Sequence, residues 1–251
     1  MPLPDWCERT ILAYLDEPPF CYPRPDGEAT GCDIDVARHV LTELGVPHVA
    51  TRLVTFAELM PGVVTGEWTV NTPLFVTEER AQQVAFSRPV WSLADGLLVR
   101  ASDSGRLISY EALAHDGHVN VGVIAGQIQE QATLAAGVPP ARILHYATQG
   151  EAVTALRQGQ IDAYPSVAAA HRGYLQQHPD PDLLTIDLFS SLPGGEGSTA
   201  AVGAYSFALE NHGLRDAFDQ VLAAFLGSLR HRAIMRGHGF TDAEIDRVLS
   251  G

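Results

Sequence analysis

The sequence predicts an α/β fold of two lobes joined by a hinge that the chain crosses twice. Three observations carry this. Strand-like and helix-like patterns alternate along the chain, the alternation restarts near residue 119, and a strand-like run at 201–207 precedes three closing helical segments. Repeated strand–helix units build largely parallel sheets covered by helices. The expected division is residues 8–99 with 202–251 in one lobe and 100–201 in the other.

The first series opens with a strand at 10–14 and a helix at 31–45, in which Ile34, Ala37, Val40, Leu41 and Leu44 recur at helical spacing and Gly45 marks the stop. A strand at 48–52 follows, then a helix at 56–66 with Pro61 as a weak point. A short strand at 70–71 precedes Pro73, Thr77 opens a short helix whose N-terminus suits Glu78 and Glu79, and 95–100 is a strand. The second series reads as strands at 119–124, 142–146, 163–164 and 183–187, alternating with helices at 129–136, 150–158 and 167–177. S-S-L-P-G-G-E-G-S-T at 190–199 is loop by composition. Helices at 214–226, 232–237 and 242–249 close the chain.

The 251 residues are 46% hydrophobic and 18% charged, a globular composition with enough chain to bury a core. No apolar run approaches the roughly 20 residues of a membrane span. A net charge of −14 argues against a nucleic-acid partner, since binding a polyanion needs basic patches. Three cysteines (Cys7, Cys21, Cys32) without C-x-x-C or Cys/His spacing argue against a disulfide framework or a zinc site. At most one disulfide can form, and three thiols suit a reducing compartment. Residues 1–6 show neither the basic nor the apolar region of a secretory leader. That leaves two possibilities: a leader already removed, or a cytoplasmic protein. His115, His118, His171, His178, His231 and His238 show no metal-ligand spacing and are expected to be solvated. No nucleophile elbow, Walker loop or dinucleotide fingerprint occurs.

Seven segments, in this order, carry a resemblance: E-P-P-F (17–20), T-G-C-D-I-D-V-A (30–37), F-A-E-L-M-P-G-V-V-T-G-E-W (56–68), V-T-E-E-R-A-Q-Q-V-A-F-S-R-P (76–89), V-G-V-I-A-G-Q-I-Q-E (121–130), A-V-T-A-L-R-Q-G-Q-I-D-A (152–163) and G-H-G-F-T (237–241). Together they resemble the amino-acid class of extracytoplasmic solute-binding proteins, which have the two-lobed type II periplasmic-binding fold. The resemblance implies a small-molecule ligand, a membrane permease of an ABC importer as partner, a periplasmic or extracytoplasmic monomer, no cofactor or metal, and no catalysis.

It also implies that Arg80, in T-E-E-R-A, clamps a ligand carboxylate. The chemistry agrees, because a guanidinium fork matches a carboxylate bidentately. The competing reading is a surface arginine paired with Glu78 or Glu79. Other positions depart from the amino-acid pattern: Phe75 stands where a Ser or Thr is usual, Gly126-Gln127-Ile128 replaces G-T-T or G-S-T, and Val167, beside Ser166, replaces the aspartate that holds an α-ammonium. Glu17 stands where an aromatic is usual. Glu17, Phe20, Phe56 and Phe75 fall at positions that face the cleft in the family, and a carboxylate among aromatic faces suits a delocalised or alkylated cation. This set resembles the ectoine and hydroxyectoine binders, in which the Glu meets the ring cation, the aromatics enclose it and the Arg holds the carboxylate. Asn71 and Thr72 at a strand end are further expected contacts, as are Ser166 and the Gly126, Gln127, Ile128 and Gln129 amides, which open a helix and suit an anion. Trp68 and Trp91 are expected to be structural. Two alternatives stay open: a lyase on the same fold, similar to cyclohexadienyl dehydratases, with Glu17 as general acid, and a cytoplasmic ligand sensor.

Overall fold

The computed structural model describes residues 10–46, 48–188 and 201–249. The expected loop at 190–199 lies outside them. The chain divides into two units, Met1–Ser92 with Ala201–Gly251 and Leu93–Ala200.

The first unit opens with β1 (Ile11–Tyr14), the short strands β2 (Tyr22–Pro23) and β3 (Ala29–Thr30), and α1 (Cys32–Glu43). Then come β4 (Ala50–Leu53), α2 (Phe56–Thr65), β5 (Val70–Phe75), α3 (Glu78–Ala81), β6 (Val84–Phe86) and β7 (Trp91–Ser92). The second unit contains β8 (Asp95–Arg100), α4 (Tyr110–His115), β9 (Val121–Ile124), α5 (Ile128–Ala135), β10 (Ile143–Tyr146), α6 (Gln149–Arg157), β11 (Ala163–Val167), α7 (Ala168–Gln177) and β12 (Leu183–Asp187). The chain returns to the first unit with β13 (Val202–Ala208), α8 (His212–Phe225), α9 (Leu229–Gly237) and α10 (Asp242–Leu249).

In the first unit the strand order is β4-β1-β5-β13-β6, with β7 also on β13. Strands β4, β1 and β5 are parallel, and β13 runs antiparallel to β5, β6 and β7. The second unit has the order β10-β9-β11-β8-β12, with β9 parallel to β10 and β11 and β8 antiparallel to β11 and β12. Both sheets are therefore mixed, where the alternation suggested largely parallel ones. Their antiparallel pairs involve β8 and β13, the strands with which the chain enters each unit from the other. Residues 95–99, expected in the first lobe, belong to the second unit because β8 is paired on both sides there.

Strand β5 runs past the expected end at Asn71, through Pro73, to Phe75. Pro73 has no N–H for a ladder, and the β5–β13 register shifts between Ala204 and Ser206, where such a residue is tolerated. Helix α2 keeps Pro61 inside it and lies on the first sheet through Leu59 and Val63. Its Gly62 is required by contact: a Cβ there would sit 2.0 Å from the Trp68 ring. Helix α8 buries Leu214, Phe218, Leu222 and Phe225, and Phe218 meets Tyr205 and Phe207 edge-on. The second core gathers Leu97, Val99, Leu107, Leu113, Val121 and Val123. Two histidines expected in solvent lie inside. His171 is on the buried start of α7, and His231 is at the start of α9. Burial pulls the imidazole pKa down to about 3 for His171 and about 4 for His231, so both are neutral. Cys21 and Cys32 are free, buried thiols.

Candidate functional site

After β1 the chain makes a tight turn. Glu17 N–H donates to the Cys21 carbonyl at 2.7 Å, and the Glu17 carbonyl accepts from Phe20 and Cys21 at 3.0 and 3.2 Å. The Pro18–Pro19 bond inside it is cis. The turn docks on the start of α1, where Cys32 N–H donates to the Pro19 carbonyl at 3.0 Å and Asp33 N–H to the Phe20 carbonyl at 2.9 Å. This approach needs Gly31, with φ 121°, since a Cβ there would lie 2.2 Å from the Phe20 carbonyl oxygen. The E-P-P-F and T-G-C-D segments are thus one structural device, and it fixes Glu17 and Phe20 together.

Glu17 is half-buried, and Phe20 is 5% exposed. The Phe20 ring packs on Trp91 at 5.7 Å between centroids and meets Phe240 edge-on at 5.8 Å. Phe240 is the aromatic of the terminal G-H-G-F-T segment, so that segment backs the first wall residue.

A capping box at Thr55, whose N–H donates to Glu58 Oε2 at 2.7 Å, starts α2 and places Phe56 at its first position. Thr77 likewise caps α3, accepting from the Arg80 N–H at 3.2 Å. Arg80 Nη1 donates to the Phe75 carbonyl at 2.8 Å, and its Cζ lies 5.4 Å from the Phe56 ring centroid. Arg80 is 8% exposed, whereas Glu78 and Glu79 are exposed, so Arg80 is a buried and not a surface arginine. Burial lowers the guanidinium pKa, with Glu79 opposing, but the group stays a cation. Phe75 in turn stands edge-on to Trp91, at 5.0 Å and 83°.

These contacts form one arc in the first unit: Phe56, Arg80, Phe75, Trp91, Phe20, Glu17. The sequence marks five of its members as ligand residues and Trp91 as structural, and it singles out neither Asp33 nor Phe240. A lone Trp after F-S-R-P is too weak a signal to show which rings it joins. Asp33 lies 3% exposed behind the arc. Burial pushes its carboxyl well above the usual carboxylate range; the Cys32 thiol at 3.5 Å pulls it back in part, and the charge of Glu17 raises it further.

Asn71 and Thr72 are placed differently from the expectation. Asn71 is 0% exposed, accepts from Trp68 Nε1 at 2.5 Å and donates to Ser206 Oγ at 3.0 Å. Thr72 is buried and accepts from Cys21 Sγ at 3.8 Å. Both side chains serve the interior, because β5 continues beyond them.

In the second unit, Gly126 takes φ 83° and its N–H donates to Glu130 Oε2 at 3.0 Å. The amide expected to receive a ligand anion is thus held by a carboxylate of α5 itself. Burial raises the Glu130 pKa, but the Gly126 N–H and His145, 2.8 Å away, outweigh it and leave the group below its usual range. Gln127 is the buried N-cap of α5, and Ile128 is half-buried. Gln129 Nε2 donates to Asp95 Oδ1 at 2.7 Å, and Tyr110 donates to the other oxygen at 2.7 Å. Ser166 is buried on β11, in register with Gly96. Among the described residues no group of His, Cys, Asp and Glu is arranged to hold a metal ion, and no helix is long and apolar enough to cross a membrane.

Residues 10–238 match the model of the bacterial extracellular solute-binding proteins, family 3. The chain belongs to that family. This solute-binding protein is 29% identical over 240 residues to the probable amino-acid ABC transporter periplasmic-binding protein y4tE of Sinorhizobium fredii, covering 94% of this chain and 79% of that protein. It is also 29% identical over 188 residues to a glutamine-binding protein of Geobacillus stearothermophilus, covering 74% and 70%. Among solved structures it is similar to EhuB in complex with hydroxyectoine, with a TM-score of 0.84, 27% identity and coverage of 96% of this chain and 91% of that one. The expected fold class, the type II periplasmic-binding fold, is therefore the observed one.

Proposed function

We propose that this solute-binding protein captures a small zwitterion and hands it to the membrane permease of an ABC importer, outside the cytoplasm and as a monomer. In this reading Arg80 holds the ligand carboxylate. Phe20, Phe56 and Phe75 offer ring faces to a delocalised or ring cation, and Glu17 supplies the counter-charge.

The observation that carries the reading is the position of Arg80. Its guanidinium lies against the Phe56 ring and is tied to the Phe75 carbonyl, so one cation is held among the aromatics expected to enclose another. A guanidinium fork matches a carboxylate bidentately, and Glu17 offers the opposite charge at the other end of the arc. The likeness to a protein solved with hydroxyectoine supports this ligand chemistry, and the likeness to y4tE supports an importer. Loss of the α-ammonium aspartate at Val167 speaks against an ordinary amino acid.

Titration calorimetry with hydroxyectoine, glycine betaine, L-glutamine and L-glutamate tests it. The ring zwitterion is expected to bind with the highest affinity. Recovery of the solute chemically unchanged after long incubation separates capture from the lyase alternative, which requires turnover.

A further inference from the structure

We propose that Trp91 sets the spacing of the aromatic wall, and with it which cations the protein accepts. The proposal rests on the solute reading above.

Trp91 is the one ring that touches both Phe75 and Phe20 in the arc, at 5.0 and 5.7 Å. It is 6% exposed, so it acts from behind those rings as a positioning residue. Its own place is fixed from beneath by Gly203 of β13, its partner in register, where a Cβ would fall 2.1 Å from the indole. The ring therefore lies across the sheet at the one type of residue that leaves room for it. The Phe20 it packs on is held through its backbone: the Asp33 N–H donates to the Phe20 carbonyl at 2.9 Å, and the Asp33 carbonyl accepts from Tyr205 Oη at 2.5 Å.

Cation–π attraction needs the charge within about 6 Å of each ring centroid. A wedge that fixes the distance between two rings therefore selects cations by thickness and shape. A primary ammonium paired with a carboxylate depends less on that distance.

The test compares the wild-type protein with Trp91→Leu and Trp91→Phe, and reads the ratio of hydroxyectoine to L-glutamine affinity. Trp91→Leu is expected to lower the ratio at least tenfold, with Trp91→Phe, which keeps a ring and serves if the leucine variant does not fold, falling between. A ratio within threefold of wild type in both variants, in a wild-type protein that binds hydroxyectoine, overturns the proposal and leaves the solute reading standing. If the wild-type protein binds none of the zwitterions, the solute reading itself falls and takes the proposal with it.

Discussion

The Arg80 guanidinium lies 5.4 Å from the Phe56 ring centroid while one Nη donates to the Phe75 carbonyl at 2.8 Å. One arginine thus ties the start of α2 to the end of β5. Its reach is fixed by two aromatic residues that sequence reasoning assigned to the same ligand. Buried arginines held this way present a rigid fork, and a rigid fork loses less entropy when it takes up a carboxylate.

Arg80→Ala is expected to cost carboxylate ligands about 2–4 kcal/mol, or roughly 30- to 1,000-fold in affinity. Arg80→Lys keeps the charge but not the fork, and is expected to recover only part of that loss. Calorimetric titration of both variants checks this. Wild-type affinity in Arg80→Ala would contradict the clamp.

Glu17→Gln removes the charge and keeps the shape. The turn around it is closed by backbone hydrogen bonds, so circular dichroism and melting are expected to stay near wild type. Affinity for a cationic zwitterion is expected to fall about tenfold or more, the scale of one hydrogen bond to a charged group. Unchanged affinity would place the ligand's cation elsewhere.

Asn71→Ala tests the interior role found for that residue. It leaves the Trp68 indole N–H and the Ser206 hydroxyl of the core without their partner. Urea denaturation is expected to show a loss of about 2–3 kcal/mol. Direct ligand contact by Asn71 would instead show as lost affinity at full stability.

Acid sensitivity follows from His171 and His231, whose pKa values are lowered from 6.5 to about 3 and about 4. In the unfolded chain both take up protons below about pH 6.5; in the folded chain they do not until the pH reaches their lowered values. The unfolded state binds more protons at these two sites in that window, so their contribution to stability falls as pH drops from about 6.5 toward 3, while the raised carboxyls of Asp33 and Asp95 act in the opposite sense. For His171 alone the loss is about 2 kcal/mol by pH 5. Denaturation of the wild type and His171→Leu at pH 7 and pH 5 measures it as the difference between the two proteins; His171→Leu is expected to be less stable at pH 7 but to lose less stability toward pH 5.

Much of the architecture was legible in the sequence because amphipathic helices and apolar strands announce themselves by period. The spacing of Ile34, Ala37, Val40 and Leu41 gave α1 to within two residues of its ends. Strands β6 and β7, of three and two residues, are too short to show a period. Trp91 is buried, as a structural residue should be, but the rings it packs on follow from β7 lying on β13 opposite Gly203, which no local pattern announces. Asn71 lies mid-strand and not at a strand end because the register shift on β13 carries β5 past Pro73, a residue that by itself marks a strand end. His171 is buried and not solvated because it follows three alanines, a small apolar run that marks the buried part of α7. Glu130 capping Gly126 is a local contact four residues apart, visible as G-x-x-x-E only after the positive φ of the glycine is known.

The central claim, that the arc from Phe56 to Glu17 holds a carboxylate zwitterion with a delocalised or ring cation, is most directly tested by one calorimetric comparison. Hydroxyectoine, glycine betaine, L-glutamine and L-glutamate are titrated into the wild-type protein under one set of conditions. The account predicts that hydroxyectoine binds at least tenfold tighter than either amino acid. Tight binding of glutamine or glutamate with no heat from hydroxyectoine would contradict it.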